Sequence, residues 1–148
     1  MLGRFTMVGV TLVALGAQGA LAGPFQQAWQ LKQLCMSIPA QVKQCAFQFA
    51  TGNGNKATTM QTTEQFGSST STQFSYTRQD GNDNTAFTEQ IGTDQSSKTI
   101  QTGNGNFAGT YQEGEDQKAK TVQIGDGHWA ATSSIGDGAE TEIYSSNQ

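Results

Sequence analysis

Side chains able to do acid–base or nucleophilic chemistry are few in this chain of 148 residues. His128 is the only histidine, and the many serines and threonines recur as members of a regular pattern. A hydrolytic triad needs a histidine held between a nucleophile and a carboxylate, and the sequence offers no second credible partner for His128. We therefore predict that the chain is not an enzyme and that it has no catalytic residue.

The two cysteines, Cys35 and Cys45, leave two kinds of chemistry open. An oxidising compartment favours a disulfide between them, whereas a reducing one leaves free thiols. Two thiolates alone make a poor metal site. Glycine- and aspartate-rich segments such as 125–127 resemble calcium turns, but those turns need an aspartate in every repeat of about nine residues. We predict no metal and no cofactor.

The remaining chemistry is hydrogen bonding by amide side chains that recur at a fixed period. Alanine stands at 86, 108 and 130, and threonine stands at 88, 110 and 132, so the period is constant (108 − 86 = 22). The fixed residues occupy every second position, as in a β-strand. Glycine-rich links separate two such strands in each unit. This pattern predicts an all-β fold, a parallel β-solenoid of stacked strand-arc-strand units, with a short N-terminal helical segment.

Glutamine and asparagine side chains that face into such a solenoid are expected to form ladders. Each amide would donate to the unit above and accept from the unit below, while alanine and threonine keep the two sheets close. The predicted assembly ladder consists of Asn55, Ala57, Gln61, Gln79, Gly81, Asn84, Ala86, Gln90, Gln101, Gly103, Asn106, Ala108, Gln112, Gln123, Gly125 and Ala130. The alternating residues, Tyr76, Lys98 and Trp129 among them, are predicted to face outward.

The repeat divides the chain into a leader and one solenoid domain. The solenoid is predicted to span 44–148, with units at 44–61, 73–90, 95–112 and 117–134 and a half-unit at 139–145. An insertion at 62–71 lengthens the first period and is expected to form a bulged loop. Residues 23–43 form the leader or cap, in which a helix runs from Phe25 to Met36 and is ended by Pro39.

Residues 1–22 are typical of a secretory signal peptide. Arg4 supplies the positive start, an apolar run follows from Met7 to Leu15, and Ala20-Leu21-Ala22 forms a cleavage site before Gly23. The apolar run is too short to span a bilayer, which takes about 20 apolar residues. We predict that cleavage releases an exported chain. The net charge of −4 over the full sequence leaves no basic surface for nucleic acid.

The units resemble the curlin repeats of bacterial curli subunits, a family of functional amyloids. The family unit reads approximately Ser-x5-Gln-x-Gly-x-Gly-Asn-x-Ala-x3-Gln, and residues 101–112 fit it from the first glutamine onward. Residues 79–90 fit with Asp83 in place of the second glycine, and residues 123–134 fit with His128 in place of the asparagine and Ser134 in place of the last glutamine. The leading serine of the family unit is a glutamine in this chain.

The resemblance implies a secreted structural subunit that builds extracellular fibres for adhesion and biofilm matrix. It implies passage through the periplasm and a dedicated outer-membrane secretion machinery to the extracellular surface or fimbrium. The expected partners are other copies of the chain in a homopolymer fibre and other curli subunits, including a nucleator, but no nucleic acid. The alternative is a monomeric secreted β-solenoid adhesin in which Phe87, Phe107, Tyr111 and Trp129 contact a surface or a glycan.

Overall fold

The computed structural model describes residues 11–13, 24–37, 42–63 and 71–147. The expected signal peptide and the expected loop at 62–71 lie largely outside these ranges. The described elements are one helix, α1 (Pro24–Met36), and ten strands. The strands are β1 (Thr11–Val13), β2 (Val42–Thr51), β3 (Lys56–Thr62), β4 (Ser71–Asp80), β5 (Thr85–Thr93), β6 (Ser96–Thr102), β7 (Phe107–Glu115), β8 (Lys118–Ile124), β9 (Trp129–Ile135) and β10 (Glu140–Ser146).

The strands form two parallel sheets with a solenoid connection between them. The six-stranded sheet has the order β1-β2-β4-β6-β8-β10, and the four-stranded sheet has the order β3-β5-β7-β9. Equivalent residues of successive units are in register, so that Ala86 lies beside Ala108 and Ala108 lies beside Ala130. The parallel β-solenoid and the period predicted for it are therefore confirmed.

The two halves of each unit are structurally equivalent, a feature that we did not predict from the sequence. Each arc begins with a glycine whose φ lies between 113° and 128°, and the arcs follow one another at half the period (92 − 81 = 11 and 103 − 92 = 11). These glycines are Gly81, Gly92, Gly103, Gly114, Gly125 and Gly136. The chain therefore bends in the same way at the end of every strand from β4 to β9, and the nine strands from β2 to β10 make four and a half turns.

Close stacking of the arcs is the reason for glycine at these positions. A Cβ atom on Gly103 would lie 2.0 Å from the carbonyl oxygen of Gly125 in the next arc. Its φ of 116° is also one that residues with a side chain rarely adopt. The arcs thus allow the backbone of one unit to contact the backbone of the next directly.

A separate apolar cluster covers the outer face of the six-stranded sheet, beside α1. It contains Cys35, Cys45, Phe47, Phe74, Tyr76, Ile100 and Val122, and a disulfide between Cys35 and Cys45 ties the helix to β2. Tyr76 is on the predicted outward side but is fully buried, because α1 packs on β2 and β4 and Phe49 packs against its ring at 5.8 Å. Within the described ranges, no helix is long and apolar enough to cross a membrane.

Candidate assembly site: the amide ladders and the solenoid ends

Among the described residues, three columns of buried or half-buried glutamines run along the solenoid axis between the two sheets. In each column the Nε2 of one glutamine donates to the Oε1 of the glutamine in the next unit, at 2.8–3.5 Å. The columns are Gln79–Gln101–Gln123, Gln61–Gln90–Gln112 and Gln44–Gln73–Gln95. Each of these donors points toward the C-terminal end, so the ladders give the solenoid a direction.

Glutamines of these columns also connect the two sheets. Gln101 Nε2 donates to the backbone carbonyl of Thr85 at 3.0 Å, and Gln123 Nε2 donates to that of Phe107 at 2.9 Å. Gln101 and Gln123 are fully buried. Buried amides are tolerated because these bonds replace the ones that water would make.

The asparagine column makes a different set of bonds from the predicted side-chain ladder. Asn84 Nδ2 donates to the carbonyl of Gly103 at 2.7 Å, and Asn84 Oδ1 accepts from the backbone N–H of Asn106 at 3.0 Å. Both partners belong to the backbone of the next unit, because the shorter side chain lies beside the arc and reaches its backbone. Asn55 and Asn106 repeat the same bonds, with the carbonyls of Gly81 and Gly125 as acceptors.

The alanines of the predicted ladder space the sheets and make no side-chain hydrogen bonds. Ala86, Ala108 and Ala130 are buried and stand in one register column with the half-buried Ala57. All the predicted ladder residues thus lie in the interior columns or at the arcs.

The amide columns stop at the C-terminal end of the solenoid. The register places Ser134 after Gln112 and Ser145 after Gln123. His128 takes the asparagine position, where its backbone N–H donates to Asn106 Oδ1 at 2.9 Å and its ring Nδ1 lies 2.6 Å from the Ser145 hydroxyl. In the third column the buried Gln117 follows Gln95 and Ala139 follows Gln117, so none of the three columns ends on an amide.

Strand edges at the two ends are the exposed backbone of this fold. Among the described strands, β3 lacks a partner at the N-terminal end, and β9 and β10 lack one at the C-terminal end. The corresponding edge of β2 is paired only with β1, through Thr11–Val13. An unpaired edge of this kind can accept another strand.

Exposed apolar side chains also concentrate at the ends. At the C-terminal end, Trp129, Ile135 and Tyr144 are 70%, 71% and 62% exposed. On β3, Met60 is exposed, and on α1 so are Trp29, Leu34 and Met36. Trp129 stacks on Phe107 with ring centroids 6.0 Å apart. Apolar surface left at the two ends is the kind of surface that contact with another molecule would bury.

Lys98 and Tyr111, on the outer faces of the sheets, have pKa values shifted from their ordinary ones. Burial, with a smaller contribution from Lys120, lowers the pKa of Lys98 to about 8. Lys120 itself forms an ion pair with Glu142 in the adjacent strand. A hydrogen bond to Glu113 raises the pKa of Tyr111 above its ordinary value. These side chains are spread along the outer columns and do not converge on one site.

Neither a metal site nor a relative identifies the chain. In the part of the chain that the structure describes, no three histidine, cysteine, aspartate or glutamate side chains are grouped as metal ligands. Comparisons with family models, with curated proteins and with solved structures gave no match. The ladders and the solenoid ends are therefore the features that bear on function.

Proposed function

We propose that the chain is a secreted structural subunit of curli-like extracellular amyloid fibres, built by stacking the end of one solenoid on the end of another. The observation that supports this most directly is the pairing of a laddered interior with unpaired edges at β3, β9 and β10. Within the chain, each unit adds to the next by backbone and amide hydrogen bonds. A second copy offers further strands of the same kind.

The wider setting of this proposal comes from the sequence. The expected signal peptide would deliver the chain to the periplasm, and the resemblance to curlin repeats suggests an outer-membrane secretion machinery, a nucleator and other curli subunits as partners. Adhesion and biofilm matrix are the roles that such a fibre would serve. The disulfide between Cys35 and Cys45 is compatible with an oxidising compartment on the export route.

Assembly from denaturant tests the proposal. The chain beginning at Gly23 is diluted out of denaturant at micromolar concentration while thioflavin T fluorescence is followed, and any product is examined by fibre diffraction. We expect growth after a lag, with reflections at ~4.7 and ~10 Å. A soluble β-rich monomer that neither aggregates nor elongates preformed seeds would contradict the proposal.

A second candidate, a monomeric adhesin, is favoured by one observation. The exposed Trp129 stacks on the half-buried Phe107 on the outer face of the four-stranded sheet, where Phe87 also lies. Stacked aromatic rings on a β-surface suit the apolar face of a sugar ring or another flat ligand. If the chain stays monomeric and Trp129→Ala abolishes its binding to a surface or glycan array, this alternative is supported.

A further inference from the structure

The two ends of the solenoid do not match by simple translation, because the number of stacked strands is odd. Nine strands, β2 to β10, are shared five to four between the two sheets. At the C-terminal end the six-stranded sheet is therefore one strand longer than its neighbour. At the N-terminal end β2 and β3 form a complete turn once β1 is set aside. The extra strand at the C-terminal end, β10, is half a turn of the solenoid, and it constrains how a second copy can be added.

A second copy added without rotation would place its β2 on β10 and would leave a gap beside β9. A copy rotated by half a turn about the solenoid axis would place its β2 on β9 and its β3 on β10, and every edge would be paired. We propose that copies of this chain join end to end with a rotation of about half a turn, so that the sheets exchange places at each junction. The inference rests on the proposed function, and it names the geometry of the partner.

Equivalence of the two sheets makes this exchange possible. The bond from Gln79 Nε2 to Gln101 Oε1 in one sheet recurs half a period later as the bond from Gln90 to Gln112 in the other, both at 2.9 Å. In the backbone, the bond from Phe74 N–H to Gln95 O recurs as the bond from Thr85 N–H to Asn106 O, both at 2.8 Å. The edge of β9 thus presents the donor and acceptor pattern that a strand of the other sheet needs.

Two pairs of side chains that would meet between β3 of the second copy and β10 in the rotated junction are complementary. Continuing the register places Lys56 of the second copy beside Glu140 and Met60 of the second copy beside Tyr144. Each pair combines exposed side chains, one an opposite-charge pair and the other a thioether with an aromatic ring. The buried Phe47 of the second copy would lie beside the exposed, charged Glu142 without rotation and beside the exposed but uncharged Ala131 with rotation.

Thr11–Val13 occupies the β2 edge in the full chain. The rotated junction therefore forms only after this segment has left, as the expected cleavage before Gly23 would achieve. The chain from Gly23 keeps α1 and all nine strands of the two solenoid sheets, and it is the form to be tested.

Paired cysteines distinguish the two junctions. The native cysteines are bridged, so introduced cysteines supply the free thiols. In the rotated junction Lys56→Cys and Glu140→Cys bring two Cα atoms to about 5 Å, which suits a disulfide. The matched pair Thr51→Cys and Ser146→Cys meets only in the unrotated junction, because rotation separates them by about one strand length, roughly 20 Å. Each double variant is assembled with only enough reductant to keep the exposed, introduced thiols free while the buried native bridge stays closed, and it is then oxidised, denatured and run on a non-reducing gel.

We expect a ladder of covalent multimers from the 56/140 pair and monomer from the 51/146 pair. Fibres with the reverse result, or with no cross-link from either pair, would overturn the inference while leaving the proposed function standing. A chain that forms no fibres under any condition would overturn both. The two failures are thus distinguishable by whether fibres are present.

Charge exchange provides a second test that needs no cysteine. Lys56→Glu and Glu140→Lys should each slow elongation by roughly two- to fivefold, and the double exchange should restore most of the rate.

The axial rise per subunit should be four and a half strand spacings, about 22 Å, rather than five spacings, about 24 Å. The rotated junction would be contradicted if both single variants slowed elongation and the double variant recovered none of the rate. An axial rise of about 24 Å would contradict it as well.

Discussion

At the scale of single residues, the direction of the glutamine ladders is the property that a substitution tests best. Gln101 accepts from Gln79 and donates to Gln123, each at 2.9 Å, inside a fully buried column. In Gln101→Glu a carboxylate still accepts from Gln79, but it has no N–H for Gln123 Oε1. We expect this variant to lose about 3 kcal/mol of unfolding free energy at neutral pH, measured by denaturant unfolding.

The matched control is Thr102→Glu, the same new charge on the adjacent exposed residue. It should stay within about 0.5 kcal/mol of the parent. Protonating the new carboxyl in Gln101→Glu restores an O–H donor, so its deficit should shrink as the pH falls toward the acid range. Equal losses in the two variants would mean that the ladder column does not contribute as described.

The arc glycines are a second residue-scale requirement. Gly103→Ala would place a methyl group 2.0 Å from the Gly125 carbonyl oxygen, so that the arcs could no longer stack. Gly109→Ala is the control, because its added methyl meets only Phe107 ring carbons, the nearest at 3.6 Å, an ordinary contact. We expect Gly103→Ala to lose cooperative unfolding in circular dichroism and Gly109→Ala to keep it. Normal unfolding of Gly103→Ala would contradict the arc packing.

At the scale of elements, the helix is held on the solenoid by one covalent bond and one apolar cluster. The disulfide joins residues 10 apart in sequence and fixes α1 against β2. Cys35→Ser with Cys45→Ser should cost about 2–3 kcal/mol, mainly through the entropy of the unfolded chain. Increased hydrogen exchange should be confined to α1 and β2, while β6 to β9 keep their protection. Equal loss of protection in every strand would show that the helix is integral to the solenoid.

Lys98, on the outer face of β6, makes the free energy of unfolding depend on pH. Its pKa is lowered to about 8, first by burial and then by Lys120. The folded state therefore releases this proton before the unfolded state does, and the free energy of unfolding should rise between about pH 8 and pH 10. Because the side chain is partly exposed, solvent screening limits the rise to about 1 kcal/mol. Lys98→Met should flatten the curve, whereas the exposed Lys118→Met should leave its slope unchanged.

The strands and their register were predictable from the sequence, and the outer cluster was not. Alternation of fixed and variable residues at a constant period defines which side of each strand faces inward, as Ala108 and Gln112 illustrate. Burial of Tyr76 depends on where α1 packs, which no local pattern contains. The half-repeat was present in the even spacing of Gln79, Gln90 and Gln101, but the change from glutamine to asparagine at the start of alternate strands obscured it.

At the scale of the whole molecule, the described part of the solenoid has unpaired strand edges at its ends. Its core consists of columns that every added strand extends, so its interior has no preferred length. The C-terminal end lacks the amides that continue the columns, whereas at the N-terminal end Gln44 and Gln61 supply them for two of the three columns and Ala50 precedes Gln79 in the third. The two ends are thus different surfaces, so the proposed end-to-end contact would be head to tail, the type of contact that extends into open fibres and does not close into dimers.

Under the proposed stacking, the segment that covers the β2 edge would control the addition of further copies. Thr11–Val13 pairs in register with Ala46, Phe47 and Gln48, on the strand that a neighbouring copy needs. We expect the full chain to elongate preformed fibres at least about tenfold more slowly than the chain from Gly23, because the segment must first be displaced. In seeded thioflavin T assays, Leu12→Pro in the full chain should recover part of the rate, since proline cannot donate within a strand. Leu2→Pro, which leaves the sequence of Thr11–Val13 unchanged, is the matched control and should recover none. Equal elongation by the full and shortened chains would show that this edge is not where copies join.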